Sequence, residues 1–171
     1  MKTYHKKTER LATKVFNDVF DKYDLMNDVM SFGVHRQWKR QFINWLNPQH
    51  NTKLIDVASG TGDIPKLYLA KVDNNGHVFC VDENKEMLNL SKKKFTNSTK
   101  IKWYHNDAEK LPFKNDCFDY YTISFGIRNV TNINIALGEA YRVLKPGGRF
   151  LCLEFSKVEN AFLNRFYQTY Q

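Results

Sequence analysis

A run that begins as a buried strand, breaks into a glycine turn and reopens as a helix constrains this chain more than any other feature: Leu54-Ile55-Asp56-Val57-Ala58-Ser59-Gly60-Thr61-Gly62-Asp63. Junctions of this kind hold nucleotide-like cofactors in α/β enzymes. Asp56 and Asp63 make the turn acidic at both ends, and Pro65 stands where a dinucleotide fingerprint has its third glycine, which removes an amide that a pyrophosphate would use. S-adenosylmethionine suits the turn better, because carboxylates complement its ammonium and sulfonium charges. A second apolar run, Val78-Phe79-Cys80-Val81-Asp82, ends in an acid twenty residues beyond Gly62, the separation at which a carboxylate accepts hydrogen bonds from ribose hydroxyls.

The rest of the chain alternates in the same way. Strands are expected at Leu54 to Ala58, His77 to Asp82, Ile101 to His105, Phe118 to Ser124 and Arg149 to Phe155. Helices are expected after Asp63, around Met87 to Phe95, and along the stripe Ile133, Ala136, Leu137, Ala140, Tyr141 and Leu144, with Lys145-Pro146-Gly147-Gly148 as the stop. Two helices precede the sheet, one carrying Val15, Phe16, Val19, Phe20 and Tyr23, the other Trp38, Phe42, Trp45 and Leu46. The pattern predicts an α/β fold with a mainly parallel sheet and right-handed crossovers. Asp56, Asp82, Asp107 and Ser124 then fall at or just past the carboxyl ends of successive strands, around one crevice.

The 171 residues suit one domain, and 42% hydrophobic content supplies a core. The expected division is an N-terminal helical lid over 1–50, a core over 51–157 and the start of a further part over 158–171, where Phe162, Leu163, Phe166, Tyr167 and Tyr170 make an aromatic face that needs a cover. No apolar run reaches the ~20 residues of a membrane span, and the first residues lack a secretory pattern, so a cytoplasmic location is expected. Cys80, Cys117 and Cys152 are far apart and read as small core hydrophobes rather than a disulfide or zinc site; no metal is expected. The net charge of +8 permits a polyanionic partner, but the lysines are scattered and Lys92-Lys93-Lys94 reads as a solvated helix face.

The stretch from Lys22 to Arg36 (KYDLMNDVMSFGVHR), followed by Trp38-Lys39, closely resembles the ubiquinone/menaquinone biosynthesis C-methyltransferase family. The match recurs at Asp56 to Asp63, at Ala108 to Phe113, at Thr122 to Thr131, and from Tyr141 through Lys157. This resemblance implies a Rossmann-like class I methyltransferase with helices on both faces of its sheet. It implies a transfer from S-adenosylmethionine to a ring carbon of a polyprenylated benzoquinol or naphthoquinol, leaving S-adenosylhomocysteine. Expected cofactor contacts are Asp56, Gly60, Thr61, Gly62, Asp82, Asp107, Ala108 and Ser124, with Asp107 standing where the family usually has Asn. Arg128 and Asn129 are the expected catalytic pair. Tyr23 and Asp24 belong to the lid, and His35 is read as a capping or packing residue.

A quinol must lose a hydroxyl proton while its ring carbon lies in line with the sulfonium methyl, so positioning and phenolate stabilisation carry most of the help. Arg128, a permanent cation and a poor proton acceptor, is expected to stabilise the phenolate and orient a water, while Asn129 fixes the ring; a surface ion pair is the bland reading of Arg128. Amino-methylation of a nucleic-acid base would place an Asn/Asp-Pro-Pro-Tyr-like motif where Ser124-Phe125-Gly126-Ile127 stands, so no nucleic-acid partner is expected. A silent cofactor-binding or partner-binding remnant is disfavoured by the retained Asp82, Arg128 and Asn129. A prenylated substrate suggests contact with an anionic membrane surface, at the inner membrane face or in a mitochondrial matrix, and a homodimer or a quinone-biosynthesis complex. Family members continue to a final antiparallel strand pair that the sequence to Gln171 does not contain. The resulting exposed edge predicts weak stability or self-association, against which a sharp, concentration-independent melt of a monomer would count.

Overall fold

The computed structural model describes residues 34–155. The helices expected over 13–23 and 159–171, with Tyr23 and Asp24, lie outside them. The chain divides into two compact units, Met1–Gln41 and Phe42–Gln171. The described elements are α1 (Val34–Leu46), β1 (Thr52–Val57), α2 (Asp63–Lys71), β2 (Gly76–Asp82), α3 (Lys85–Lys94), β3 (Ile101–His105), β4 (Phe118–Ser124), a single 3₁₀ turn (Ile127–Asn129), α4 (Ile133–Val143) and β5 (Leu144–Leu153).

The five strands form one sheet in the order β3-β2-β1-β4-β5, and every pairing is parallel. Side chains alternate across a strand, so successive residues of β1 serve different layers. Leu54 packs with Phe42, Tyr68, Val72, Val78 and Ile101 in one apolar cluster. Ile55 and Val57 pack with Val81, Tyr121, Ile123 and the α4 residues Ala140 and Val143 in the other. Helices therefore cover both faces, as the resemblance implied. The order runs outward from β1 in both directions, which puts a topological switch point between β1 and β4, where open α/β sheets bind ligands.

Local sequence sets the helix ends. Asn84 caps α3, its side-chain oxygen accepting from the backbone N–H groups of Glu86 (2.9 Å) and Met87 (3.2 Å), and Asn132 caps α4 in the same way. Gly62 begins α2 at φ +86°, and a Cβ there would lie 2.7 Å from both the Phe95 ring and Ser91 Oγ. Glycine is required at this position by conformation and by space. On α1 the buried face is Phe42, Ile43 and Leu46, while Trp45 is 68% exposed and Trp38 is 40% exposed. The two tryptophans, seven residues apart, share a different stripe from the one that the spacing suggested.

Two expectations change at β5. Pairing begins at Leu144, directly after α4, so Lys145-Pro146-Gly147-Gly148 is an irregular first stretch of the strand rather than a turn before it. A register shift against Phe118 and Tyr120, with Gly147 at φ +77°, accommodates the extra residues. Asp119 fastens this end: Oδ1 accepts from Lys145 Nζ (2.6 Å) and Oδ2 from the Lys53 N–H (2.8 Å), linking β1, β4 and β5. Cys152 on β5 is exposed instead of buried in the core, whereas Cys80 is buried as expected.

Tyr68 is buried, and its hydroxyl donates to the Thr52 carbonyl at 2.8 Å; burial first, moderated by the Thr52 hydroxyl, pushes its pKa up to about 12. The central strand depends mostly on apolar burial. Ile55→Ala removes a fully buried side chain and is expected to cost about 2–5 kcal/mol of unfolding free energy, read from equilibrium denaturation.

Candidate functional site

The exits of β1, β2, β3 and β4 surround a cavity of about 600 Å³ at the carboxyl edge of the sheet, within the range of small-molecule sites. Val57 and Ala58 contribute from the end of β1, residues 82–86 from β2 and the start of α3, 105–108 from β3, and Gly126 with 129–131 from the segment after β4.

The glycine turn is held at this edge by the acid of the next strand. Asp82 Oδ2 accepts from the Gly60 N–H at 2.7 Å, and Oδ1 accepts from the Asn84 N–H at 2.8 Å. Each oxygen keeps a further acceptor position, which is what two ribose hydroxyls need. Burial raises the Asp82 pKa above its ordinary value, and the two backbone donors and His105 hold the rise in check. His105 is itself fixed through Nε2 to the Glu83 carbonyl at 2.8 Å.

Asp107 and Ala108 sit on the loop after β3. Asp107 Oδ1 accepts from the Glu109 N–H (2.8 Å), and Glu109 Oε1 accepts from the Asn132 N–H (2.6 Å). Glu139 and Arg142, one turn apart on α4, clamp the rest of the loop. The guanidinium donates to both Glu139 oxygens (2.6 and 2.7 Å) and to the Phe113 carbonyl (2.6 Å), while Glu139 Oε2 accepts from the Leu111 N–H (2.7 Å). The hydrogen bond to Arg142 is the main cause that lowers the Glu139 pKa. Sequence reasoning did not find this clamp, because the i, i+3 spacing of Glu139 and Arg142 reads as ordinary surface pairing.

The exits of β1 and β4 bring close-packed backbone to the cavity. Ala58 adopts φ +52° and Phe125 φ +56°, both rare for residues with a Cβ. A Cβ on Gly126 would lie 2.3 Å from the Ala58 Cβ, so only glycine lets the two strand exits approach this closely.

Of the residues expected to hold a cofactor, Asp82, Asp107 and Ala108 line the cavity, and Gly60 is joined to it through Asp82. Thr61 is buried beside them and Gly62 starts α2. Asp56 and Ser124 are corrections to the expected ring of four. Asp56 is 1% exposed, lies within β1 opposite Cys80 and Thr122, and accepts from the Thr122 hydroxyl at 2.7 Å; it supports the turn from below rather than lining the cavity. Ser124 is half-buried at the end of β4, and the wall there is formed by Gly126 and Asn129 instead.

Asn129 lines the cavity, but Arg128 points elsewhere. Its guanidinium forms an ion pair with Glu154 and lies over the Phe155 ring, 5.7 Å from the centroid. Phe155 in turn stacks on Phe125 at 4.7 Å. Glu154, Asn84 and His105 were missed by sequence reasoning. Asn84 was findable as the cap residue directly after the second acidic strand end.

The residues fit S-adenosylmethionine on their donor chemistry. Four carboxylates, Asp82, Glu83, Glu86 and Asp107, stand around the cavity against Lys85 and His105, an environment that favours cations and disfavours phosphates.

The sequence profile of the ubiE/COQ5 methyltransferase family matches residues 3–171. The ubiquinone/menaquinone biosynthesis C-methyltransferase UbiE of Rickettsia prowazekii is 52% identical over 176 aligned positions, which take in 99% of this chain and 70% of that protein. The Rickettsia typhi protein of the same name is 51% identical with the same coverage. A SAM-dependent methyltransferase from Aquifex aeolicus superposes with a TM-score of 0.65 at 19% identity, over 72% of this chain and 66% of that one, and so shares the Rossmann-like fold.

Three expectations follow from this geometry. If a methyl donor hydrogen-bonds to ionised Asp82, its affinity falls as pH drops through the raised pKa, and Asp82→Asn flattens that dependence in calorimetric titrations. The same shift makes the folded chain hold this proton more tightly than the unfolded chain, so Asp82's contribution to stability declines as pH rises through the raised value. Gly126→Ala should weaken donor binding about tenfold, roughly 1.4 kcal/mol, in the same titration.

Proposed function

Since the chain belongs to the ubiE/COQ5 methyltransferase family, we propose that the carboxyl-edge cavity binds S-adenosylmethionine and that the chain methylates a ring carbon of a polyprenylated quinol. The acceptor is of the 2-polyprenyl-6-methoxy-1,4-benzoquinol type, a demethylmenaquinol, or both, in keeping with the ubiquinone/menaquinone biosynthesis in the relatives' names. The observation that carries this reading is the Asp82 carboxylate, set between the Gly60 and Asn84 amides in a cavity rimmed by four acids.

When bound, the donor supplies an electrophilic methyl on a cationic sulfur. The chain's own groups place the acceptor. Asn129 lines the cavity and Arg128 precedes it on the same β4 exit, with its guanidinium turned toward Glu154 and Phe155; this adjacency supports reading the two as the acceptor side of the site. The stacked Phe125 and Phe155 lie beside Arg128 and offer an aromatic wall to a flat ring.

A prenyl tail partitions into a bilayer, so the acceptor must be met at a membrane surface. No helix among the described residues is long and apolar enough to cross a membrane. The exposed Lys92, Lys93 and Lys94 at the end of α3 and the net charge of +8 suit a reversible contact with anionic lipid. Homodimer formation or entry into a quinone-biosynthesis complex fits the same setting.

The test titrates S-adenosylmethionine by calorimetry and then assays a short-chain quinol for carbon methylation. Donor binding with turnover supports the proposal; donor binding without turnover favours a silent cofactor-binding domain. Arg128→Ala is expected to lower turnover about 10- to 100-fold while donor affinity stays within about twofold.

A further inference from the structure

We propose that Glu154 is the proton acceptor for the quinol hydroxyl and that Arg128 holds it ready for this task, an inference that rests on the reading of Arg128 and Asn129 as the acceptor side of the site. Glu154 follows the last residue of β5, and Ser124 at the end of β4 is in register with Leu153, so the acid belongs to the same carboxyl edge as the cavity. Its side chain is only 18% exposed.

The hydrogen bonds around it are uneven. Oε1 accepts from Arg128 Nη1 and from the Phe155 N–H at 3.0 Å. Among the described residues, Oε2 takes a single long contact, from the Arg128 N–H at 3.4 Å. A carboxylate oxygen has two acceptor positions, so Oε2 has room for an incoming O–H. Among the described residues Arg128 pairs with Glu154, and the charge of Glu154 adds to burial in raising the Cys152 thiol.

The pairing also explains how Arg128 could stabilise a phenolate. A guanidinium already matched to a carboxylate has little attraction left for a second anion. Once the hydroxyl proton moves to Glu154 Oε2, that match is lost and the Arg128 charge is released to the phenolate oxygen at the moment it forms. The phenolate electron pair moves into the ring, the ring carbon bonds to the methyl, and the carbon–sulfur bond breaks with its electrons left on sulfur. The ring carbon then loses its hydrogen as a proton to water, aromaticity returns, and Glu154 gives its proton back to the oxygen. Net release is one proton per methyl transferred.

Two variants of the full chain test this. Glu154→Gln keeps an oxygen for Arg128 and removes the basicity, so kcat with a short-chain quinol should fall about 10²- to 10⁴-fold, while the calorimetric affinity for S-adenosylmethionine and the quinol KM stay within about threefold. Glu154→Ala should fall as far and recover at least tenfold in added formate. A Gln variant within threefold of the unaltered chain overturns the proposal, as does a loss in both variants that formate leaves unchanged, which would mark a purely positional role. If the unaltered chain binds the donor and methylates no quinol, the acceptor reading itself fails and takes this proposal with it.

Discussion

The Asp82 carboxylate joins the loops that follow β1 and β2. It occupies the gap between the Gly60 and Asn84 amides, with 2.7 and 2.8 Å contacts. The arrangement is self-consistent at three levels. The strand delivers the acid, the glycine turn presents a backbone donor with no side chain in the way, and Asn84 starts the next helix by capping it. Burial makes this ionised group costly, and the two amides supply the compensation. A single half-buried carboxylate thereby links two of the cavity's walls.

The other walls are positioned at one remove. The loop after β3 has no regular structure of its own between His105 and Phe118, and its path is fixed by the Glu139–Arg142 pair on a helix far along the chain. Beneath the turn, Asp56 meets Thr122 across the β1–β4 pairing, so a polar contact sits inside the sheet at the switch point. A buried carboxylate tolerates few alternative arrangements, because moving it away from its partner exposes the full desolvation penalty.

Much of this was legible in the sequence because hydrophobic period and glycine chemistry report local conformation directly. The bounds expected for β3 and β4 agree with the structure, since Ile101 to His105 and Phe118 to Ser124 are short apolar runs between turn residues. The start of β5 was misread, because Pro146-Gly147-Gly148 signals a turn, whereas pairing with β4 absorbs those residues as an irregular strand segment. Asp56 was misplaced for a related reason: a strand-end position gives depth along the sheet but not which way a side chain faces. The Arg128–Glu154 pair joins residues 26 positions apart, a relation that periodicity does not encode. Strand-end position placed Asp82 and Asp107 at the cavity; the groups that hold them were not legible.

The contact between Gly126 and Ala58 has a consequence for selectivity. Where these two exits meet, the cavity wall is main chain and a single methyl group. A wall of side chains can swing between rotamers and admit a larger guest, but a main-chain wall has no such freedom. At this point tolerance for a bulkier molecule has to come from the neighbouring loops.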